Sequence, residues 1–304
     1  MGLEKAATGA STLVAIESIG GFHAVIDPLG AQLMRLQDGR GRELLWNGDP
    51  AFWTGRAPVL FPIVGSLRDD RYSYRGKRYA LPRHGFARRQ VWQVVDHRSA
   101  SATFRLRADE ATLADYPFAF VLDLTFVVDA ASLAVTVVVS NAGDDVMPFS
   151  FGFHPALRWP FAGGARADYR LRFERDEIAP IARLDAAGLI ARHEHNPTAD
   201  RDLALDDALF VDDALVFAGL GSRAVDFGMP GGEQLRVAFP GFPDLGVWTR
   251  PGAGYLCIEP WLGHADPVEP YGEIFAKPGI CTLQPGHDWQ ATMTIALLPA
   301  ENRA

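Results

Sequence analysis

Three short runs of this 304-residue sequence set ionisable side chains among apolar neighbours: Arg83-His84-Gly85-Phe86-Ala87-Arg88, Phe149-Ser150-Phe151-Gly152-Phe153-His154-Pro155 and Cys257-Ile258-Glu259-Pro260-Trp261-Leu262-Gly263. His154 and Glu259 each directly precede a proline. A residue in that position is pushed out of the helical region into extended backbone, which restricts where its side chain points. One imidazole and one carboxylate make a general acid/base pair when both reach the same substrate. Each also has an ordinary reading. A histidine among aromatics is commonly a satisfied core residue, and His84 could bond a carbonyl at a turn before Gly85. A carboxylate between Ile258 and Pro260-Trp261 is part-buried and needs a partner or a purpose. The 105 positions between His154 and Glu259 do not say that the two meet.

Other chemistry has less to stand on. No GxxxxGK[ST], strand-helix GxGxxG, HExxH or GxSxG run is present, so the motifs that announce a nucleotide, a catalytic zinc or a nucleophilic serine are missing. The two cysteines, Cys257 and Cys281, form no CxxC or zinc spacing and no disulfide framework. His193-Glu194-His195 puts two imidazoles on one face if the segment is a strand, as in cupin metal sites. The following Asn196-Pro-Thr-Ala-Asp reads as an exposed loop instead. No metal and no cofactor is expected. Thirty-seven acids against 29 Lys and Arg give a net charge of −8, which disfavours nucleic acid and anionic membranes as partners. The basic cluster Arg68, Arg71, Arg75, Lys77 and Arg78 hints at phosphate, but on a hairpin it reads as a solvated face.

The elements that must position these residues repeat with period two. Thr103-Phe-Arg-Leu-Arg107 and Val121-Leu-Asp-Leu-Thr-Phe126 alternate, Leu133 to Val139 is rich in β-branched residues, and both patterns read as strands. Tyr72 to Tyr79 predicts a hairpin turning at Arg75-Gly76, and Asp38 to Arg42 a turn. Asp109 to Tyr116 predicts one or two helical turns from an aspartate cap. Thirty glycines and 21 prolines punctuate many short strands. The fold class is therefore all-β: a large sandwich of two packed sheets with few short helices. Residues 1–12 read as a loose tail and 13–304 as one domain. The most apolar long stretch, Val121 to Val139, contains Asp123 and Asp129 and is too polar to span a bilayer. With no targeting signal in Met1 to Leu13, the expected compartment is the cytoplasm. No signal decides the oligomeric state.

Five segments in order, Pro58-Val-Leu-Phe-Pro-Ile-Val-Gly65, Tyr79-Ala-Leu-Pro-Arg-His-Gly-Phe-Ala-Arg88 with Trp92, Phe151-Gly-Phe-His-Pro155, Ile258-Glu-Pro-Trp-Leu-Gly263 and Leu283-Gln-Pro-Gly286, resemble the aldose 1-epimerase (galactose mutarotase-like) family. Within it they resemble the bacterial branch found beside sugar-utilisation genes, over about residues 14 to 298. The resemblance implies a β-supersandwich with an open cleft and metal-free interconversion of the α and β anomers of a small aldose. It makes His154 the acid at the ring oxygen, Glu259 the base at the C1 hydroxyl and His84 a second histidine near the ring oxygen. In many members of this branch an arginine follows the glycine of the Phe-Pro-Ile-Val-Gly run, but here that residue is Ser66. Arg68, two positions on and on the same face of an extended strand, is the expected substitute, with Arg56 and Arg71 near in sequence. Asp213 and Trp261 are the other expected sugar contacts, Trp53 is expected in the core, and His264 and Asp266 are expected at the rim. Glu259 is expected to be ionised and to raise His154 above its reference value of about 6.5. A non-catalytic sugar-binding protein on the same fold, and an epimerase of hexose 6-phosphates, are the alternatives.

Overall fold

The computed structural model describes residues 12–300. The expected tail, residues 1–12, lies outside them except for Thr12. Antiparallel strands carry the architecture. A nine-stranded sheet runs in the order Asp202–Ala204, Arg170–Phe173, Ala224–Gly228, Gln234–Ala238, Asp288–Leu298, Ser132–Asn141, Phe120–Asp129, Ser101–Arg107 and Gln93–His97. A second sheet of eight strands runs Ile190–Glu194, Ile181–Leu184, Leu215–Phe217, Asp244–Trp248, Tyr255–Leu262, Phe151–Phe153 and Val59–Leu60, with Ala156–Arg158 also paired to Tyr255–Leu262. A three-stranded sheet (Val14–Glu17, His23–Asp27, Gln32–Gln37) and two two-stranded pairs complete the described elements. The all-β sandwich read from the alternation is the observed fold.

The alternation places the core. In Phe120–Asp129, Phe120, Leu122, Leu124, Phe126 and Val128 are buried, and Asp123 on the other face takes a cross-strand ion pair from Arg105. The partner strand Ser132–Asn141 buries Leu133, Val135, Val137 and Val139. These side chains join Leu245, Val247, Leu256 and Ile258 of the eight-stranded sheet in one cluster that draws on residues from Val14 to Ile295. Each such side chain contributes about 1.5–3 kcal/mol when fully buried, which outweighs the weak local preferences of so many short strands. The stretch Val121 to Val139 thus spans two neighbouring strands of the nine-stranded sheet. Among the described residues no helix is long and apolar enough to cross a membrane.

Local punctuation follows its chemistry. The single α-helix among the described residues, Glu110–Asp115, starts at Asp109, whose carboxylate accepts from the Thr112 N–H while the Thr112 hydroxyl takes the Asp109 N–H. The hairpin Arg71–Tyr74/Lys77–Ala80 turns at Arg75-Gly76, both at positive φ. The Asp38 carboxylate accepts from the N–H groups of Arg40 and Arg42, closing the second expected turn. Arg68 departs from expectation. It opens a single 3-10 turn, Arg68–Asp70, in which Asp69 and Asp70 have φ of 56° and 52°. The chain there is not extended, so the period-two rule that aimed Arg68 at the cleft does not apply.

Candidate active site

The strand Tyr255–Leu262 has two faces. Leu256 and Ile258 point into the main core, while Tyr255, Cys257, Glu259 and Trp261 line up on the opposite face. Neighbouring strands repeat the division: Phe151 and Phe153 face the core, leaving Gly152 and His154 on the outer face, and Leu245 and Val247 leave Gly246 and Trp248 there. Glycine is needed beside the indole. A Cβ on Gly152 would lie 2.6 Å from Trp261, and one on Gly246 would lie 2.4 Å from it. The ring of Trp261 therefore rests in a slot between two bare stretches of backbone.

Strand register brings the distant pair together. Gly152 pairs with Trp261 and, beyond Pro155, Ala156 pairs with Cys257 in the same register. His154 therefore falls directly opposite Glu259, where Cβ atoms of facing residues are close. His154 Nε2 lies 3.2 Å from Glu259 Oε2, and both residues are more than nine-tenths buried. Trp53 stacks on the imidazole at 4.9 Å between centroids, and Trp248 and His84 meet it edge-on at 5.9 and 5.8 Å. His84 arrives from another loop with φ of 67°. Its backbone N–H donates to Gly65 O and its Nδ1 accepts from the Gly65 N–H, at 2.8 and 3.1 Å. Its Nε2 accepts from Arg83 Nε at 3.3 Å.

These residues surround an open cavity of about 320 Å³, lined by Trp53, His84, His154, Glu259, Trp261 and Asp213 together with Arg83, Arg88, Trp248 and Arg250. That volume falls within the range of small-molecule sites. His154 Nδ1 and Trp261 Nε1 are buried without a hydrogen-bond partner, and buried polar atoms left unpaired are costly. Asp213, at φ of 69°, holds Arg83 through an ion pair at 3.3 Å. Arg88 donates to the Arg83 carbonyl and has no carboxylate partner among the described residues. Burial and the nearby Arg89 and Arg83 push its pKa down to about 10.

Electrostatics correct one expectation outright. Burial pushes the Glu259 carboxyl well above the ordinary carboxylate range, against the pull of the Arg83 charge. Burial, aided by Arg83 and Arg88, pushes His154 down to about 3 rather than up. His84 is lowered as well, by burial and then by Arg83. Desolvation outweighs the mutual attraction of the pair because both groups lose water on the same sheet face. Burial thus favours the neutral imidazole of His154 and the protonated form of Glu259.

The remaining sequence candidates sort by position. Glu259, His154, His84, Asp213 and Trp261 converge on the cavity, and so does Trp53, which was expected in the core. Arg68 does not: it lines a separate cavity with Arg71. Arg56 donates to the Met34 carbonyl instead. The arginines in the cavity are Arg83, Arg88 and Arg250. Two of these flank His84 within its own six-residue run, a signal the sequence held. Arg250 and Trp248 left none. Neither His264 nor Asp266 lines the cavity: His264 pairs with Asp244 and Asp266 with Lys277. Among the described residues, His154, Cys257 and Glu259 bring three potential metal ligands within 4.8 Å of one another, whereas His193 and His195 belong to no such group. The buried Cys257 thiol is raised well above its ordinary pKa by burial, then by Glu259, and stays protonated.

A β-sandwich whose outer sheet face carries a facing imidazole and carboxyl in an open polar cavity has the geometry for acid/base work on a small polar molecule. The chain belongs to the aldose 1-epimerase family, whose model matches residues 12–296. It is 32% identical over 269 residues to protein LacX of Lactococcus lactis subsp. lactis, covering 84% of this chain and 90% of the relative. It superposes with a TM-score of 0.88 and 31% identity on a galactose mutarotase related enzyme from Lactobacillus acidophilus, covering 96% of this chain and 99% of the other. A galactose mutarotase-like protein from Lactobacillus casei follows at 0.86 and 28%, covering 94% and 100%. The family is one of isomerases acting in carbohydrate metabolism.

Proposed function

We propose that the chain interconverts the α and β anomers of a free aldose, with Glu259 as base, His154 as acid and no metal. The observation that carries this is the His154–Glu259 pair, facing across one strand register at 3.2 Å on the cavity floor. Glu259 takes the proton of the C1 hydroxyl while His154 gives a proton to the ring oxygen, and the bond from C1 to the ring oxygen breaks. Rotation about C1–C2 presents the other carbonyl face. The former ring oxygen, now a hydroxyl, attacks C1 and returns its proton to His154, while Glu259 protonates the new C1 hydroxyl. The pair begins and ends with one proton, so neither redox chemistry nor group transfer is required. His84 stands beside His154 near the ring oxygen, and Asp213 with Trp261 supports the sugar's hydroxyl and C–H faces. Arg83 and Arg88 supply the cationic contacts that Ser66 does not.

One proton shared by two sites has a consequence for pH. The resting form carries it on Glu259 and the reacting form on His154. Both forms hold the same number of protons, so their ratio does not change with pH. A second proton enters only as His154 titrates, near its lowered value of about 3. The pair loses its one proton only through the raised Glu259. The expected kcat/KM shows no step near the ordinary imidazole value of about 6.5. An acid limb centred there would show that His154 titrates as an exposed histidine and would overturn the shared-proton reading.

The direct test is anomer exchange of fresh α-D-glucose, α-D-galactose and glucose 6-phosphate, followed by polarimetry or NMR. Acceleration of at least one is expected. Activity should also survive exhaustive dialysis against EDTA. Loss on chelation, restored by a divalent cation, would reassign His154, Cys257 and Glu259 as ligands. A second reading, a hexose 6-phosphate substrate, is favoured by one observation: Arg83, Arg88 and Arg250 line the same cavity, where Asp213 and Glu259 are the carboxyl groups. A higher kcat/KM for glucose 6-phosphate than for glucose would select it.

A further inference from the structure

A second cavity, of about 440 Å³, opens beside the first, and Arg68, Arg71 and Arg78 converge on it. None of the three makes an ion pair among the described residues. The rest of the basic cluster is engaged or turned away. Arg75 pairs with Asp145, and Lys77 lies on the opposite face of the hairpin.

The hairpin register explains the convergence. Ser73 pairs with Arg78 and Arg71 with Ala80, so Arg71, Ser73 and Arg78 share one face. Tyr72 and Tyr74 point the other way and are buried. Arg71 and Arg78 are diagonal neighbours, within reach of each other's long side chains. Arg68 is brought to them by the turn Arg68–Asp70, which two consecutive non-glycine residues hold in the left-handed region, a backbone cost that persists only where the surroundings impose it.

The carboxylates there leave the balance positive. Asp266 is neutralised by Lys277 at 2.9 Å and also accepts from the Tyr271 hydroxyl and the Arg68 N–H. Asp69 is the other carboxylate in the lining. Three guanidinium groups therefore face one uncompensated carboxylate, on a chain whose net charge is −8.

We infer that this cavity is a binding site for a phosphate group, distinct from the cavity holding His154 and Glu259. Several forked guanidinium donors suit the oxygens and double charge of a phosphate better than a single carboxylate, and the Ser73 hydroxyl adds a donor. The volume admits a phosphate ester rather than a bare ion alone. The two cavities share a wall. Gly65 and Ala265 line the first, Arg68 and Asp266 the second, and the Asp266 N–H donates to Ser66 O at 2.9 Å between them.

The test is titration with inorganic phosphate at low ionic strength, by calorimetry or protein NMR, on wild type, the Arg71→Ser/Arg78→Ser double variant and Arg88→Ser. Both arginines of the double variant are exposed, and thermal melting checks its fold. Wild type should bind saturably, the double variant at least tenfold more weakly, and Arg88→Ser like wild type. Absence of saturable binding, or loss with Arg88→Ser and not with the double variant, overturns the site. Glucose 6-phosphate separates two sources of the group. A KM raised by the double variant for glucose 6-phosphate but not for glucose means that the phosphate arrives on the substrate. Unchanged KM for both, with phosphate binding lost, means that it arrives on a separate molecule. The binding arm needs no catalytic activity, so it stands apart from the epimerase reading.

Discussion

Glu259→Gln is expected to slow anomer exchange by about three orders of magnitude while leaving the fold intact. Positioned acid/base groups contribute about 10²–10⁴-fold, and glutamine keeps the shape of the carboxyl without its basicity. The fold should survive because burial already favours the uncharged carboxyl. The substitution therefore exchanges one neutral buried group for another, and the melting temperature should move by only a few degrees. His154→Gln should lose a similar factor. If the two residues act as one proton-sharing pair, the double variant will be little slower than either single, since groups that work as a unit are far from additive. Polarimetry on fresh α-anomer reads all three. Glu259→Gln activity within tenfold of wild type would remove Glu259 from the chemistry.

Gly85→Ala is expected to cost the most stability. Gly85 has a φ of +69°, and a Cβ there would lie 2.2 Å from Phe61 O and 2.8 Å from Pro62 Cδ. The Phe61 carbonyl cannot retreat, because it accepts from the N–H groups of Phe86 and Ala87 at 3.0 and 3.2 Å. Gly76→Ala is the matched control. Gly76 has a φ of +71° with nothing within 4 Å of its added Cβ, so it carries the left-handed cost of about 1–2 kcal/mol alone. Gly85→Ala should exceed it by at least about 2 kcal/mol, within the range of overpacking penalties, as a lower denaturation midpoint in urea. The same shift would drag His84 from Gly65, so residual activity should fall too. Equal midpoints for the two variants would mean that the backbone around Phe61 yields freely.

Much of this protein follows from period and punctuation. Alternation in Val121 to Phe126 and Leu133 to Val139 specifies strands because a half-buried sheet face must be apolar at every second position. The Asp109 cap and the Arg75-Gly76 turn are legible because each depends on its own few residues. The run around His84 already contains Arg83 and Arg88, the arginines that reach the cavity, whereas the family's arginine position points to Arg68. Arg68 misses the cavity because Asp69 and Asp70 are left-handed, with no glycine to announce them.

Sequence alone determined the residue types of the site and the two-faced strands that carry them. Tertiary structure decided which of them meet and in what protonation state. His154 stands opposite Glu259 because two strands pair in one register across the break at Pro155, and register is a long-range property that no local run encodes. Both pKa directions came out opposite to the pairwise expectation. Charge attraction can be reasoned from two residue names, whereas desolvation depends on everything packed around them.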